Sequence, residues 1–372
     1  MKIRETPIHM FYPDIVPSVI DKVSEILKGK QLAQGPKVDE FEKEFEKKFN
    51  LKNCVSINTC TSALHLALTL SNVKPGDEVI TPAYTCPATN HPILAHFANP
   101  IFTDVQFKTA NIDPTDIEKR ITPKTKAIML VHWAGYPCDL KEINEIANKH
   151  NIPVIEDAAH AIGAEYQGKP IGSISDFTCF SFQAIKQLNT IDGGMLVVKD
   201  NDLYDSAIRR RFIGIDKRKK IDSYIERFDT NVFEVGYKFN MNDVTATIGL
   251  EQLKYIDEKL KRRAQIAKEY RDAFKNHKDI TLFENKSDRK SGNWLFSMHV
   301  NRRDDFAKMM KSYNIDCSVV HTRNDILPVF GGKAINLPNT NKLSESIISI
   351  PLHTKLIEEE VDYIIKAVKL GW

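Results

Sequence analysis

The chain has 372 residues, and its 52 basic and 49 acidic side chains leave a formal net charge of +3. This near balance argues against a nucleic-acid-binding protein, which would carry a strongly basic surface. No apolar run has the length of a transmembrane helix, and the N-terminal MKIRETPIHMFYPD lacks the apolar core of a secretory signal. The six cysteines form no C-x-x-C pair and no zinc-site spacing, so we expect free thiols in a reducing cytoplasm.

The N-terminal part of the chain begins with two helix patterns and then alternates strands with helices. VPSVIDKVSEILKG and VDEFEKEFEKKF have apolar residues every three or four positions, which predicts amphipathic helices. Alternation of apolar strands with helices predicts a mostly parallel sheet that helices cover on both faces. The predicted pairs are NCVSIN with TSALHLALTL, DEVITPAY with TNHPILAHF, KAIMLVHW with LKEINEIANKH, and PVIEDA with AAHAIGA, followed by the strands DFTCFSF and GGMLVVK.

From about residue 242 the pattern becomes mainly helical. One long helix is predicted over VTATIGLEQLKYIDEKLKRRAQIAKEYRDAF. The strand WLFSMHV and the helices RDDFAKMMKSY and EEEVDYIIKAVKL follow it. We therefore expect an α/β protein with a large domain over residues 1–245 and a smaller C-terminal α+β domain over residues 246–372.

Reactive and polar side chains follow several of the predicted strands. Ligands of open α/β sheets bind beyond the carboxyl ends of the strands, so these side chains should meet. Each has an ordinary alternative: helix capping for the threonines and the aspartate, a buried position for the tyrosine and the histidine, and a surface loop for the lysine. Their joint placement at one sheet edge favours a binding site. The side chains are Thr59, Cys60, Thr61, Ser62, Tyr84, Thr85, Cys86, Asp157, His160, Gln183 and Lys186.

Pyridoxal phosphate (PLP) requires a set of this kind. Its aldehyde bonds to a lysine amine, and its ring nitrogen pairs with a carboxylate. Its phosphate binds backbone amides at a helix N-terminus together with hydroxyl groups. Its ring lies against a planar or apolar face.

Two neighbouring stretches resemble a known family. VIEDAAHAIGAEYQGKPIG, followed by FSFQAIKQLNTIDGG, is similar to the DegT/DnrJ/EryC1/StrS sugar aminotransferases. These are PLP-dependent transferases of fold type I, the aspartate aminotransferase fold. Blocks along nearly the whole chain resemble that family in the same order, among them TSALHLAL, GDEVITPAYT, VGYKFNMNDVTATIGLEQL and ISIPLH.

The resemblance implies a role for each matching residue near the reacting atoms. Lys186 forms the Schiff base with the cofactor and moves the proton between the cofactor and substrate carbons. Asp157 pairs with the ring nitrogen, and His160 lies near the phenolic oxygen of the ring. Gln183 stays open, since it could face either the cofactor or the substrate.

The resemblance also implies a phosphate site and a homodimer. Thr61 and Ser62, at a helix start, hold the phosphate together with Ser181. Asn240 in GYKFNM matches an asparagine that reaches the phosphate from the partner subunit, which places the sites at the subunit interface.

Two positions depart from the family pattern. Cys60 stands where the phosphate loop usually has glycine, although a small side chain still allows a close backbone approach. Cys86 stands where the family usually has the aromatic residue that stacks on the ring. Either Tyr84 takes over that stacking or the ring rests on the thiol of Cys86.

The resemblance implies an amino transfer from an amino acid, by family habit L-glutamate, to a nucleotide-linked keto sugar in amino-sugar or surface-polysaccharide biosynthesis. Relatives with histidine at the position of Lys186 remove a hydroxyl group instead, so the lysine favours transamination. The nucleotide stays open, and C4 of a 4-keto-6-deoxy sugar is favoured over C3. The alternatives are a transaminase of a non-nucleotide keto substrate and a PLP-binding regulator without turnover.

One basic cluster, RRRFIGIDKRKK from Arg209 to Lys220, has two interpretations. It is either a solvated loop, which we favour somewhat, or a surface that attracts the diphosphate of a nucleotide sugar.

Overall fold

The structure is a computed structural model that describes residues 2–219 and 232–372. Its strands are β1 (Cys54–Ile57), β2 (Glu78–Pro82), β3 (Asn99–Thr103), β4 (Thr125–Val131), β5 (Val154–Asp157), β6 (Glu165–Tyr166), β7 (Lys169–Pro170), β8 (Phe177–Ser181), β9 (Gly194–Val198), β10 (Ile280–Leu282), β11 (Arg289–Lys290), β12 (Phe296–Val300) and β13 (Ile347–Ile350). Its helices are α1 (Ser18–Leu27), α2 (Pro36–Phe49), α3 (Cys60–Leu70), α4 (Pro87–Ala95), α5 (Pro114–Arg120), α6 (Leu140–His150), α7 (Asn201–Arg210), α8 (Asp243–Leu253), α9 (Ile256–Phe274), α10 (Arg303–Ser312), α11 (Pro338–Ser346) and α12 (Glu358–Leu370).

The central sheet has the strand order β1-β9-β8-β5-β4-β2-β3 within the described residues. The strands β3, β2, β4, β5 and β8 run parallel to one another. Only the pairings of β9, with β1 and with β8, are antiparallel in the part of the sheet described. The prediction of an α/β fold with a mostly parallel sheet is confirmed.

Apolar cores cover both faces of this sheet. Phe41 and Phe45 of α2 pack in one core, and Leu64 and Leu68 of α3 pack in the other. All five residues of β8 and of β9 are buried. Burial on both faces explains why these strands read as continuous apolar runs rather than as alternating ones.

A second sheet, β10-β12-β13, lies in the C-terminal part of the chain and is antiparallel. Tyr270 and Phe274 of α9 and Phe306 of α10 pack in its core. Ile8 belongs to the same core and pairs with Ile315, so the start of the chain packs on the C-terminal part. The domain boundary at residues 245 and 246 stays a prediction.

Several elements differ from the sequence-based expectation. The stretch AAHAIGA forms successive turns rather than a helix, and Gly163 within it has φ +71°. The long helix is two helices, because Tyr255 leaves the helical region between α8 and α9 at ψ 7°. The strand β3 was not predicted; Pro100 lies within it, and the edge position of β3 tolerates a residue without an N–H group.

No helix within residues 2–219 and 232–372 combines the length and the apolar character needed to cross a lipid bilayer.

The basic cluster begins at the end of α7, where Arg209 and Arg210 are half-buried and Arg211 is buried. Lys217, Arg218 and Lys219 are exposed, and the last residue, Lys220, lies outside the described residues. The arginines of the cluster pair with carboxylates: Arg209 and Arg210 with Glu234, Arg211 with Glu42, and Arg218 with Asp205 and Asp216. Arg211 is only 2% exposed, so it is a poor candidate for binding a nucleotide. Attraction of a diphosphate stays a prediction, and it would depend on the lysines of the cluster.

The buried pair of Arg211 and Glu42 makes a stability prediction. We expect Arg211→Leu to lower the free energy of unfolding by about 3–5 kcal/mol, because it leaves the Glu42 carboxylate buried without its cation. The matched control is Arg218→Leu, which removes a guanidinium with a side chain 45% exposed and should cost less than about 1 kcal/mol. Urea unfolding measures both, and equal small losses would contradict the prediction.

Candidate active site

A cavity of about 410 Å³ lies at the carboxyl ends of the parallel strands. It brings together most of the predicted site residues, and Trp294 and His321 from the C-terminal part complete its wall. The predicted residues at the wall are Thr61, Cys86, Asp157, His160, Ser181, Gln183 and Lys186. Ser62, Tyr84 and Asn240 are not at this wall.

Asp157 is the last residue of β5 and is 5% exposed. One carboxylate oxygen accepts a hydrogen bond from the Thr89 hydroxyl at 2.8 Å, and the other accepts from the Ala159 N–H at 3.0 Å. Burial raises the pKa of Asp157 above its ordinary value, although both hydrogen bonds act in the opposite direction. A buried carboxylate held by uncharged donors is suited to pair with a protonated ring nitrogen.

Lys186 follows β8 in a tight turn, in which its N–H donates to the Gln183 carbonyl at 2.9 Å. Its Nζ lies 3.5 Å from the ring centroid of Trp294. Burial lowers the pKa of Lys186 to about 8, against the opposing effect of Asp157. About a tenth of this amine is therefore unprotonated at pH 7, far more than for an ordinary lysine, and the unprotonated form is the one that a nucleophile or a base requires.

The N-terminus of α3 forms the anion-binding end of the cavity. Thr59 caps the helix, since its Oγ1 accepts from the Ser62 N–H at 3.0 Å. The first amides of the helix, those of Cys60 and Thr61, have no acceptor within the helix and can bind a phosphate. At Gly194 an added Cβ would lie 2.7 Å from the Cys60 nitrogen, so only glycine lets β9 approach this loop.

His160 also lies at the wall of this cavity. It is 3% exposed, and its ring stacks on Trp294 with centroids 3.7 Å apart. Burial, followed by the charge of Lys186, holds the pKa of His160 well below its ordinary value, so the imidazole is neutral. Its Nδ1 is buried without a hydrogen-bond partner in the described part of the chain. A phenolic oxygen of PLP would fit this nitrogen, and together with Lys186, Asp157 and the α3 amides the site fits the cofactor.

Three predicted residues lie elsewhere. Tyr84 is buried in an apolar core, where its hydroxyl donates to the Val319 carbonyl at 3.3 Å and its ring packs on Trp133. Of the two residues proposed to face the ring, Cys86 is therefore the one at the cavity. Ser62 bonds to Thr59 instead of facing the cavity.

Asn240 pairs with Ile57, the last residue of β1. Its Oδ1 is buried without a partner among the described residues. Its contribution to a partner subunit's site stays a prediction.

Several wall residues were not found from the sequence. Trp294, His321 and Phe11 come from distant parts of the chain, and no local pattern marks them. Thr89 lies inside a predicted helix, with nothing to show that it faces Asp157.

Known proteins similar to this chain identify its class. The chain is 38% identical to the spore coat polysaccharide biosynthesis protein SpsC of Bacillus subtilis, over 94% of this chain and 93% of that protein. It is 34% identical to the UDP-4-amino-4-deoxy-L-arabinose–oxoglutarate aminotransferase of Shewanella sediminis, over 96% of both.

Solved structures are also similar to this chain. The sugar aminotransferase CalS13 from Micromonospora echinospora superimposes with a TM-score of 0.93 at 33% identity, over 98% of this chain and 100% of that chain. Spr1654 from Streptococcus pneumoniae, solved in PLP and PMP forms, gives a TM-score of 0.90 for both; its PMP form is 31% identical over 98% of both chains.

The fold and the site thus define a PLP-dependent transferase of fold type I. Residues 13–369 match the DegT/DnrJ/EryC1/StrS aminotransferase family. The chain belongs to this family and is an aminotransferase whose cofactor is PLP. The resemblance seen in the sequence is confirmed.

The hydrogen bond from Thr89 to Asp157 makes a prediction about cofactor affinity. We expect Thr89→Val to weaken PLP binding by about 10-fold or more, because a hydrogen bond to the ionised carboxylate is lost. Titration of the apoenzyme with PLP measures the dissociation constant.

The matched control for Thr89→Val is Thr178→Val on the neighbouring strand β8. The Thr178 hydroxyl is buried without a partner among the described residues, so its loss should leave PLP affinity unchanged. Equal affinities of the two variants would contradict the role of Thr89.

Proposed function

We propose that this enzyme transfers the amino group of L-glutamate to C4 of a nucleotide-linked 4-keto-6-deoxy sugar. Transamination is supported above all by one observation: Lys186 and Asp157 line the same cavity. The names of two relatives support the substrate class, since one acts in spore coat polysaccharide biosynthesis and the other concerns a UDP-linked amino sugar and oxoglutarate.

Different residues of the chain would have different roles in such a transfer. When bound, PLP supplies an aldehyde that exchanges amines and a ring that withdraws electrons from the substrate carbon. The Nζ of Lys186 removes the proton from the carbon that bears the donor nitrogen and delivers a proton to the acceptor carbon. Asp157 keeps the ring nitrogen protonated by its negative charge. Its burial strengthens this interaction, because no water screens it.

Other residues orient the cofactor. The amides of Cys60 and Thr61 and the hydroxyl of Ser181 would hold the phosphate. The neutral His160 would bind the phenolic oxygen. Cys86, at the N-terminus of α4, would lie against the ring, which makes the thiol a substitute for the aromatic residue usual at this position.

We further propose a homodimer in which Asn240 of one protomer reaches the phosphate of its partner. One observation supports this assembly. The nearby segment exposes Phe233 and Val235, with 91% and 77% of their surfaces accessible, as is typical of an interface. All six cysteines are free thiols, which suits the proposed location in the reducing cytoplasm.

The proposal is tested by a spectroscopic cycle. The purified holoenzyme should show the visible band of lysine-bound PLP, and L-glutamate should bleach it. A UDP-linked 4-keto-6-deoxy sugar should restore the band, and a panel with other nucleotides and with 3-keto sugars measures the preference. Restoration of the band by non-nucleotide keto substrates alone would indicate a transaminase of a non-nucleotide keto substrate. A stable band that no amino acid bleaches would indicate a PLP-binding regulator without turnover.

The proposed role of Lys186 as the catalytic base predicts the effect of substituting it. Lys186→Ala should lower kcat by about 10²–10⁴-fold, because proton transfer by a positioned base is lost. The matched control is Lys149→Ala, which removes an exposed lysine that pairs with Glu118 and should leave kcat unchanged. Steady-state turnover by Lys186→Ala at the wild-type rate would refute the assignment.

A further inference from the structure

Trp294 lies at the wall of the cavity, although it comes from the segment just before β12. It is 2% exposed. Its indole Nε1–H donates to the Ile185 carbonyl at 3.2 Å, and its backbone N–H donates to the Ala134 carbonyl at 2.9 Å. Its own carbonyl accepts from Arg263 at 3.2 Å. These contacts fix the indole beside the residue that precedes Lys186.

The two faces of the indole carry different partners. The Nζ of Lys186 lies 3.5 Å from the ring centroid, and the ring of His160 lies 3.7 Å from it at an interplanar angle of 16°. Both groups are at contact distance of about 3.5–4 Å, so they would overlap if they shared one face. Trp294 is therefore held between the imidazole on one side and the amine on the other.

The packing of Trp294 on His160 requires a glycine at position 292. At Gly292 an added Cβ would lie 2.9 Å from the Ile162 carbonyl and 3.0 Å from the His160 carbonyl. The segment that carries Trp294 thus packs directly on the backbone that carries His160. The position of the indole is set by backbone contacts on both sides.

The amine of Lys186 meets an aromatic face instead of a carboxylate. Within residues 2–219 and 232–372, its Nζ makes no hydrogen bond and no ion pair. An ion pair would keep the amine protonated and would compete with its chemistry. An indole face attracts the protonated amine modestly and leaves the lone pair of the neutral amine free.

Transamination frees this amine once in every cycle, and the amine must then return to the same cofactor carbon. A free lysine side chain has many rotamers, and ordering it costs entropy. We propose that Trp294 is a positioning residue that holds the amine of Lys186 while this amine is not bonded to the cofactor. The inference rests on the assignment of Lys186 made under the proposed function.

The test measures how fast Lys186 bonds to PLP. Apoenzyme is mixed with PLP in a stopped-flow instrument, and the visible band reports bond formation. At a pH well above the midpoint, where the amine is neutral in every variant, Trp294→Leu should slow this step by about 2- to 30-fold, because the amine is no longer ordered by the indole face. Trp294→Phe keeps an aromatic face and should fall between Trp294→Leu and the wild type. The matched control is Trp372→Leu, which removes a tryptophan that packs on His277 and Phe306 and should keep the wild-type rate.

The pH dependence separates positioning from a general loss of structure. Bond formation requires the neutral amine, so in the wild type its rate should rise with pH to a midpoint near 8. The indole favours the protonated amine, so both Trp294 variants should have a lower midpoint, and Trp372→Leu should not. The other groups that act on this amine or respond to it are unchanged in all variants: Asp157, Cys60, Cys86, Arg263, His160 and His321.

Borohydride reduction of the holoenzyme followed by peptide mapping tests the assignment of Lys186 separately from the role of Trp294. If wild-type enzyme carries no label on Lys186, the assignment of Lys186 under the proposed function fails. If Lys186 is labelled and both Trp294 variants keep the wild-type rate and midpoint, the role of Trp294 is refuted. Should Trp294→Leu fail to fold by circular dichroism, the midpoint of Trp294→Phe decides.

Discussion

The buried end of β5 is the constraint on which the rest of the site depends. Glu156 and Asp157 are consecutive, so their side chains point to opposite faces of the sheet. Glu156 accepts a hydrogen bond from His132 Nε2 at 2.7 Å, and both side chains are fully buried. His132 Nδ1 accepts from the Cys138 N–H at 3.0 Å, which places the ring proton on Nε2. This fixed pair anchors the strand end on one side and leaves Asp157 directed into the cavity on the other.

The same region joins the two parts of the chain. Asn324, from the segment that carries His321, accepts from Asn90 at 2.9 Å and donates to the Thr85 carbonyl at 2.8 Å. Asn90 follows Thr89, which donates to Asp157. One turn of α4 therefore orients the carboxylate and also holds the C-terminal wall of the cavity. Since Asn324 is fully buried, breaking this network would leave polar groups without partners, which favours a single arrangement of the two parts.

The sequence predicted those parts of the site that depend on local position. Lys186 and Asp157 follow apolar strands, and the ends of parallel strands meet at one edge whatever the details of packing. Contacts between distant segments could not be predicted, because Trp294 reaches Lys186 only through the tertiary fold. Tyr84 failed to reach the cavity because it packs in an apolar core, and AAHAIGA reads as helical by composition although Gly163 turns the chain. Arg211 looked like a surface charge because its partner, Glu42, lies far away in the sequence.

Three groups of the site share one electrostatic property: burial disfavours their charged forms. The pKa of Asp157 is raised, and those of Lys186 and His160 are lowered. At neutral pH a raised carboxyl pKa and a lowered amine pKa both reduce stability relative to the unfolded chain, in which these groups ionise freely. In the proposed function, PLP would bring a protonated ring nitrogen to Asp157 and would bond to the amine of Lys186. The cofactor would thus offset the unfavourable free energy of burying these two groups, and a ligand that binds only the folded state stabilises that state. The groups proposed to perform the chemistry therefore destabilise the chain without its cofactor, and cofactor binding would reverse this effect.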